Sequence, residues 1–176
     1  MKERASVFLI GPRASGKTTL GRRLAEQVGF DFVDADAYLE KDRGRRIADW
    51  VVQDRAGFRQ AEASYLPLWF DQPGLVVALG GGIVETESAV QELATYSRVL
   101  GLRASLAELV ARQAGGDRPA LTSLSLEQET EHLWRRRLPA YERACQGRWV
   151  DTGGDMQQAW QRLWKAFLLF FGESNA

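Results

Sequence analysis

Gly11-Pro12-Arg13-Ala14-Ser15-Gly16-Lys17-Thr18 decides the fold. The stretch satisfies the pattern G-x-x-x-x-G-K-[ST] in full, and its surroundings are those the pattern demands. An apolar run, Val7 to Ile10, precedes it, and Lys17 to Val28 follows with Leu20, Leu24 and Val28 at helical spacing. A strand that turns through such a loop into a helix cradles phosphate. The glycines let backbone N–H groups face the anion, Lys17 neutralises charge on the outer phosphates, and the Thr18 hydroxyl can reach magnesium. Gly11, Arg13, Ala14, Ser15, Gly16, Lys17, Thr18 and Thr19 are therefore the expected contacts of a nucleoside triphosphate.

Outward from the loop, apolar runs alternate with helical segments, the pattern of βαβ units and a parallel sheet. Phe30 to Val33 predicts a second strand, followed by a polar, helical stretch with Tyr38, Ile47, Trp50 and Val51. A long helix is expected from about Gly57 to Phe70, ending before Pro73-Gly74. Leu75 to Leu79 is continuously apolar, as a strand covered on both faces should be. Gly80-Gly81-Gly82 closes it. Further strands are expected at Arg98 to Gly101 and Arg148 to Asp151, and helices near Glu87 to Tyr96 and over Leu106 to Gln113, Glu127 to Cys145 and Met156 to Phe171. Ala114 to Ser125 has no period and reads as a mobile lid. The expectation is a three-layer α/β/α domain on a five-stranded parallel sheet, spanning residues 1–176 without linker or internal repeat.

Composition narrows the function. With 23 basic and 23 acidic residues among 176, no global field draws the protein to nucleic acid or to an anionic membrane. The basic residues are 19 Arg and 4 Lys, and guanidinium forks suit planar anions. Cys145 is the single cysteine and His132 the single histidine, so neither an internal disulfide nor a cysteine metal cluster is available. The charged start and short first apolar run do not fit a signal peptide, and no stretch reaches membrane-spanning length. A cytoplasmic monomer with small-molecule substrates is the expectation. The stripe Trp160, Leu163, Trp164, Phe167 and Phe171 is core or a contact surface.

Asp34-Ala35-Asp36 follows the second strand, at the carboxyl edge where open α/β sheets bind ligands. One carboxylate can reach the magnesium shell while the other takes a proton from an incoming hydroxyl; alternatively one caps the next helix. With the phosphate loop, these residues resemble the shikimate kinases, small relatives of the nucleoside monophosphate kinases. Phe58-Arg59-Gln-Ala-Glu62 is similar to that family's Phe-Arg-x-x-Glu, Gly80-Gly81-Gly82 to its glycine triplet, Arg118-Pro119 to its lid dipeptide, and Arg137-Leu-Pro139-Ala-Tyr141 to its Arg-x-Pro-x-Tyr segment. Arg112 falls where the family sets an arginine against adenine, and Asp151-Thr152-Gly153 where it has the adenine loop.

The resemblance implies the P-loop kinase fold and transfer of the γ-phosphoryl group of MgATP to the 3-hydroxyl of shikimate, a step towards chorismate and the aromatic amino acids. It implies Lys17, Asp36 and Arg118 as catalytic groups, with Asp36 as base; Arg112, Arg118 and Thr152 on the nucleotide; and Thr18 and Asp34 on magnesium. Asp36, Arg59, Arg137 and the three glycines would bind the acceptor, whose region spans about residues 34–62. Several positions depart from the pattern: Ala14 stands where glycine is common, Asp54-Arg55-Ala56-Gly57 replaces a Gly-Glu pair, Leu79 precedes the glycines, and the lid is short.

Chemistry alone agrees with this acceptor: a hydroxylated carboxylic acid needs guanidinium forks, a base and close backbone packing. Arg59 and Arg137 could instead pair with Glu62 or Glu142 as surface salt bridges, and the glycines could merely end a strand. A kinase for gluconate or a nucleoside monophosphate, or a non-catalytic nucleotide-binding module, is the alternative. The discriminator is the pair Arg59 and Arg137, which predicts a carboxylate acceptor.

Overall fold

The computed structural model describes residues 5–114 and 124–172. Five strands, β1 (Val7–Ile10), β2 (Asp31–Asp34), β3 (Leu75–Ala78), β4 (Val99–Arg103) and β5 (Trp149–Asp151), form one parallel sheet in the order β2-β3-β1-β4-β5. Leu9 stands between Ala78 of β3 and Leu100 of β4. Because strand side chains alternate, β1 feeds two cores. Phe8 and Ile10 join Leu39, Phe58, Val77, Leu93 and Tyr141 on one face. Val7 and Leu9 join Leu20, Leu24, Val76, Leu163 and Phe167 on the other. The predicted three-layer sandwich follows from this alternation.

Helix α1 (Lys17–Val28) begins at the phosphate loop, and α2 (Ala35–Arg43) and α3 (Ile47–Gln53) fill the polar stretch after β2. The single helix expected from Gly57 to Phe70 is two: α4 (Arg55–Ser64) and the short α5 (Leu66–Phe70). Pro67 explains the break, since it has no N–H for the helical ladder and is tolerated only in a first turn, where it lies in α5. A short 3₁₀ turn, Ile83–Glu85, then leads into α6 (Glu87–Thr95); α7 (Leu106–Gln113), α8 (Leu126–Cys145) and α9 (Met156–Phe171) complete the order. Ser125 caps α8 through Gln128 N, and Gln128 returns the bond in a capping box.

Most of the expected lid lies outside the described residues, Arg118 with it. The aromatic stripe of α9 is core: Trp160, Leu163, Phe167 and Phe171 are buried, and Trp164 packs against them. Cys145 is buried as well, and burial pushes its thiol up to about 11. His132 is exposed. No helix among the described residues is long and apolar enough to cross a membrane.

Candidate active site

All five strands point their carboxyl ends at one edge, so the loops that follow them share it. After β1 the phosphate loop curls through Gly11 (φ 144°), Ala14 (φ 63°) and Gly16 (φ 91°). A side chain at Gly11 would overlap the Leu102 carbonyl of β4, a backbone atom that cannot yield. Lys17 Nζ donates to the carbonyls of Gly11 (2.9 Å) and Pro12 (2.8 Å), which sets the ammonium across the loop's mouth. Thr18 Oγ1 donates to Asp34 Oδ2 at 2.8 Å, joining α1 to the end of β2. Thr18 and Thr19 are exposed on the first turn of α1. Ser15 is buried, and its Oγ finds no hydrogen-bond partner among the described residues.

Arg112 and Thr152 come together, yet their contacts brace the loop from behind. Arg112 Nη2 donates to Thr152 O at 2.7 Å, and Nη1 to Ala14 O at 3.4 Å. Thr152, 2% exposed, sets its Oγ1 2.9 Å from Ser15 O and 3.1 Å from Arg103 O. The carbonyls of Ala14 and Ser15 are thereby engaged, which fixes this part of the loop.

The capping reading of the Asp34-Asp36 pair falls to Asp34. Its Oδ1 accepts from Ala37 N at 3.3 Å, capping α2, while Oδ2 takes the Thr18 hydroxyl. Asp36 lies in the first turn of α2. There its Oδ1 and Glu62 Oε1 occupy the space a Gly80 side chain would need. Gly82 is treated the same way by Arg59, whose guanidinium fills its Cβ position, although its backbone φ of −102° is ordinary. Gly81 lies against Gly11 and Arg13 of the phosphate loop, and its carbonyl accepts from Tyr141 Oη at 2.5 Å. Gly80 and Gly82 are thus glycine for space: they admit two acids and an arginine from other elements, and do not merely end β3.

Glu62 is 3% exposed. Burial pushes its carboxyl up to about 7; Arg59 opposes this, and the nearby Asp36 adds to it. Arg59 Nη1 donates to Glu62 Oε2 at 2.7 Å, while Glu62 Oε1 is buried with no hydrogen-bond partner among the described residues.

Arg59 and Arg137 do converge, and both meet an acid the motifs do not mark. Glu85 Oε2 accepts from Arg59 Nε (3.1 Å) and Arg55 Nη2 (2.9 Å). Its Oε1 accepts from Arg137 Nε (3.0 Å) and Nη2 (2.8 Å), and Arg136 pairs with it too. Burial raises the Glu85 carboxyl, but Arg55, Arg137 and Arg59 more than reverse this and hold it well below the usual carboxylate range. Glu142, the other acid considered for Arg137, accepts instead from Trp149 Nε1. A cavity of about 400 Å³ opens here, lined by Arg55, Val84, Glu85, Arg136, Arg137 and Ala140. The one signal in the sequence is an acid three positions past the glycine triplet in an arginine-rich chain.

No group of three or more His, Cys, Asp or Glu capable of holding a metal occurs among the described residues. Magnesium asks for less: one or two hard oxygen ligands beside the phosphates. The Thr18 hydroxyl and Asp34 carboxylate, already in contact beside the loop, fit that ion.

Comparison with known proteins gives the family. The model of the shikimate kinase family matches residues 13–167. The shikimate kinase of Alteromonas mediterranea is 35% identical over 145 residues, 81% of this chain and 84% of its own length. The structure of a shikimate kinase from Acinetobacter baumannii in complex with shikimate superposes with a TM-score of 0.86 at 27% identity, covering 98% of this chain and 96% of that one. A gluconokinase from Sinorhizobium meliloti shares the fold, at TM-score 0.56 and 18% identity over 99% of this chain and 100% of its own. Phosphate loop, paired aspartates, glycine triplet and converging arginines lie within the matched span or at its edge, and the chain belongs to the shikimate kinase family.

Proposed function

We propose that this chain transfers the γ-phosphoryl group of MgATP to the 3-hydroxyl of shikimate, giving shikimate 3-phosphate and ADP on the route to chorismate and the aromatic amino acids. The observation that carries this reading is the meeting of Arg59, from α4, with Arg137, from α8. They meet beside a glycine triplet that touches the phosphate loop on one side and Asp36 on the other. Two guanidinium groups select a carboxylate, and a carboxylate held there sets the acceptor's hydroxyls towards Asp36 and the loop. Gluconate also carries a carboxylate, but the similarity to shikimate kinases is closer in sequence and in structure than that to the gluconokinase.

Phosphoryl transfer leaves little covalent work to the protein, so positioning and charge neutralisation carry the rate. Lys17 stabilises the outer phosphates from the loop's mouth, with Arg13 beside it and Arg118 from the lid. Thr18 and Asp34 would hold magnesium, which when bound offsets the charge of the phosphate oxygens. Asp36 orients the attacking hydroxyl and takes its proton as the O–P bond forms and ADP leaves in line. Closure of the lid over residues 114–125 keeps water from competing. The chain works as a single domain, a monomer and a cytoplasmic enzyme in this reading.

The test is ADP release from MgATP with shikimate, quinate, gluconate or a nucleoside monophosphate as acceptor. Shikimate is expected to drive it. Asp36→Asn should cut kcat by about a hundredfold or more without weakening nucleotide binding, the scale of general base catalysis. Turnover of gluconate in preference to shikimate overturns the acceptor, and full turnover in Asp36→Asn overturns the base.

A further inference from the structure

Glu85 presents a carboxylate to the arginines that the proposed function gives to the carboxylate of shikimate. It ends the 3₁₀ turn directly after the glycine triplet and shares a cavity wall with Arg137. One oxygen takes both Nε and Nη2 of Arg137, and the other takes Nε of Arg59. These are the N–H groups with which an arginine grips a bound carboxylate. We propose that Glu85 is a built-in competitor for the acceptor's carboxylate: shikimate reaches Arg59 and Arg137 by displacing it, and Glu85 thereby sets acceptor affinity. The identity of the acceptor rests on the preceding reading; the competition rests on the geometry.

Two features distinguish a competitor from a scaffold. Arg59 is already anchored without Glu85, by the 2.7 Å pair with the buried Glu62, so Glu85 is not needed to aim it. Glu85 also has somewhere to go. Arg55 and Arg136, with side chains 41% and 47% exposed, pair with the same carboxylate and line the same cavity, whereas Arg59 and Arg137 are 14% and 8% exposed. A swing towards the exposed pair releases the buried pair while Glu85 keeps a partner. Displacement then avoids stranding a desolvated charge, the usual obstacle to opening a buried ion pair.

The test combines calorimetric binding of shikimate with steady-state kinetics for the intact chain, Glu85→Gln and Glu85→Asp. Glu85→Gln should bind shikimate at least tenfold more tightly and lower its KM by the same factor, with kcat and the KM for MgATP within twofold of the parent. Glu85→Asp keeps the charge and the folding but shortens the arm, and should tighten binding by a smaller factor. Unchanged or weaker binding in both variants, at unaltered melting temperature, overturns the proposal in favour of a purely structural acid. If Glu85→Gln does not fold, Glu85→Asp alone decides in the same sense. Cyclohexanecarboxylate, which has the carboxylate without the hydroxyls, separates this inference from the acceptor assignment. Its binding to Glu85→Gln but not to the parent, with no shikimate-dependent ADP release by either, upholds the competitor and refutes shikimate. Shikimate turnover by the parent with no gain in either variant does the reverse.

Discussion

Ala14 carries the clearest local strain in the phosphate loop: its φ is 63°, in the region that favours glycine. Left-handed backbone costs an L-residue about 1–2 kcal/mol, of which a glycine's freer unfolded chain gives back about 0.4–1 kcal/mol. Ala14→Gly should therefore stabilise the fold by roughly 0.5–1 kcal/mol in urea unfolding, leaving the KM for MgATP within twofold. A loss of stability would mean that the loop depends on the methyl group. Gly82 makes the opposite case, because space and not φ demands it. A Cβ there would overlap the Arg59 guanidinium, the far end of a flexible side chain, so Gly82→Ala should fold with Arg59 turned aside. Losing a charged hydrogen bond at about 1.5–3 kcal/mol corresponds to a rise of roughly tenfold to a hundredfold in the acceptor's KM. The KM for MgATP should not move; a shared rise in both constants would place the damage in the phosphate loop instead.

At the scale of elements, helix α7 and the segment after β5 act on the nucleotide side by holding the loop, with Thr152 as the joint. Thr152→Val keeps the shape and removes the hydroxyl that lies against Ser15 O and Arg103 O. The expected cost is about 1–2 kcal/mol of stability, since a buried acceptor loses its donor, with the KM for MgATP rising severalfold. Unaltered nucleotide affinity would confine Thr152 to stability. The same elements show what the sequence can reveal. β1, the loop and α1 were legible because their signals are local: an apolar run, glycines and a helical period, all within residues 7–28. The break at Tyr65 was harder to see, since the apolar pattern runs through it and only Pro67 marks the stop. Arg59 and Arg137 were readable from short motifs. Glu85 was not, because its partners Arg55, Arg59, Arg136 and Arg137 lie on α4 and α8, and only the packing of those helices around the 3₁₀ turn brings them to one carboxylate.

For the whole molecule, a parallel sheet gathers charges from separate helices at one edge, and two acids there, Glu62 buried and Glu85 partly exposed, link stability to pH in opposite senses. Glu85, held below its ordinary value, contributes stability above the unfolded pKa near 4.5 that is lost in acid as it is protonated. Glu62 does the reverse. Its carboxyl rises from 4.5 in the unfolded chain to about 7 in the fold, so between those values the native state binds more protons. Its favourable contribution is complete below pH 4.5 and is lost as pH rises through 7. A shift of that size is on the order of 3 kcal/mol. Glu62→Gln keeps an acceptor for Arg59 and cannot ionise. Urea unfolding at pH 5 and pH 8 should show the parent losing up to about 3 kcal/mol relative to Glu62→Gln over that interval, and the two curves running parallel above it. A constant difference between the proteins from pH 5 to pH 8 would show that Glu62 is ionised throughout, paired with Arg59 as a permanent buried salt bridge.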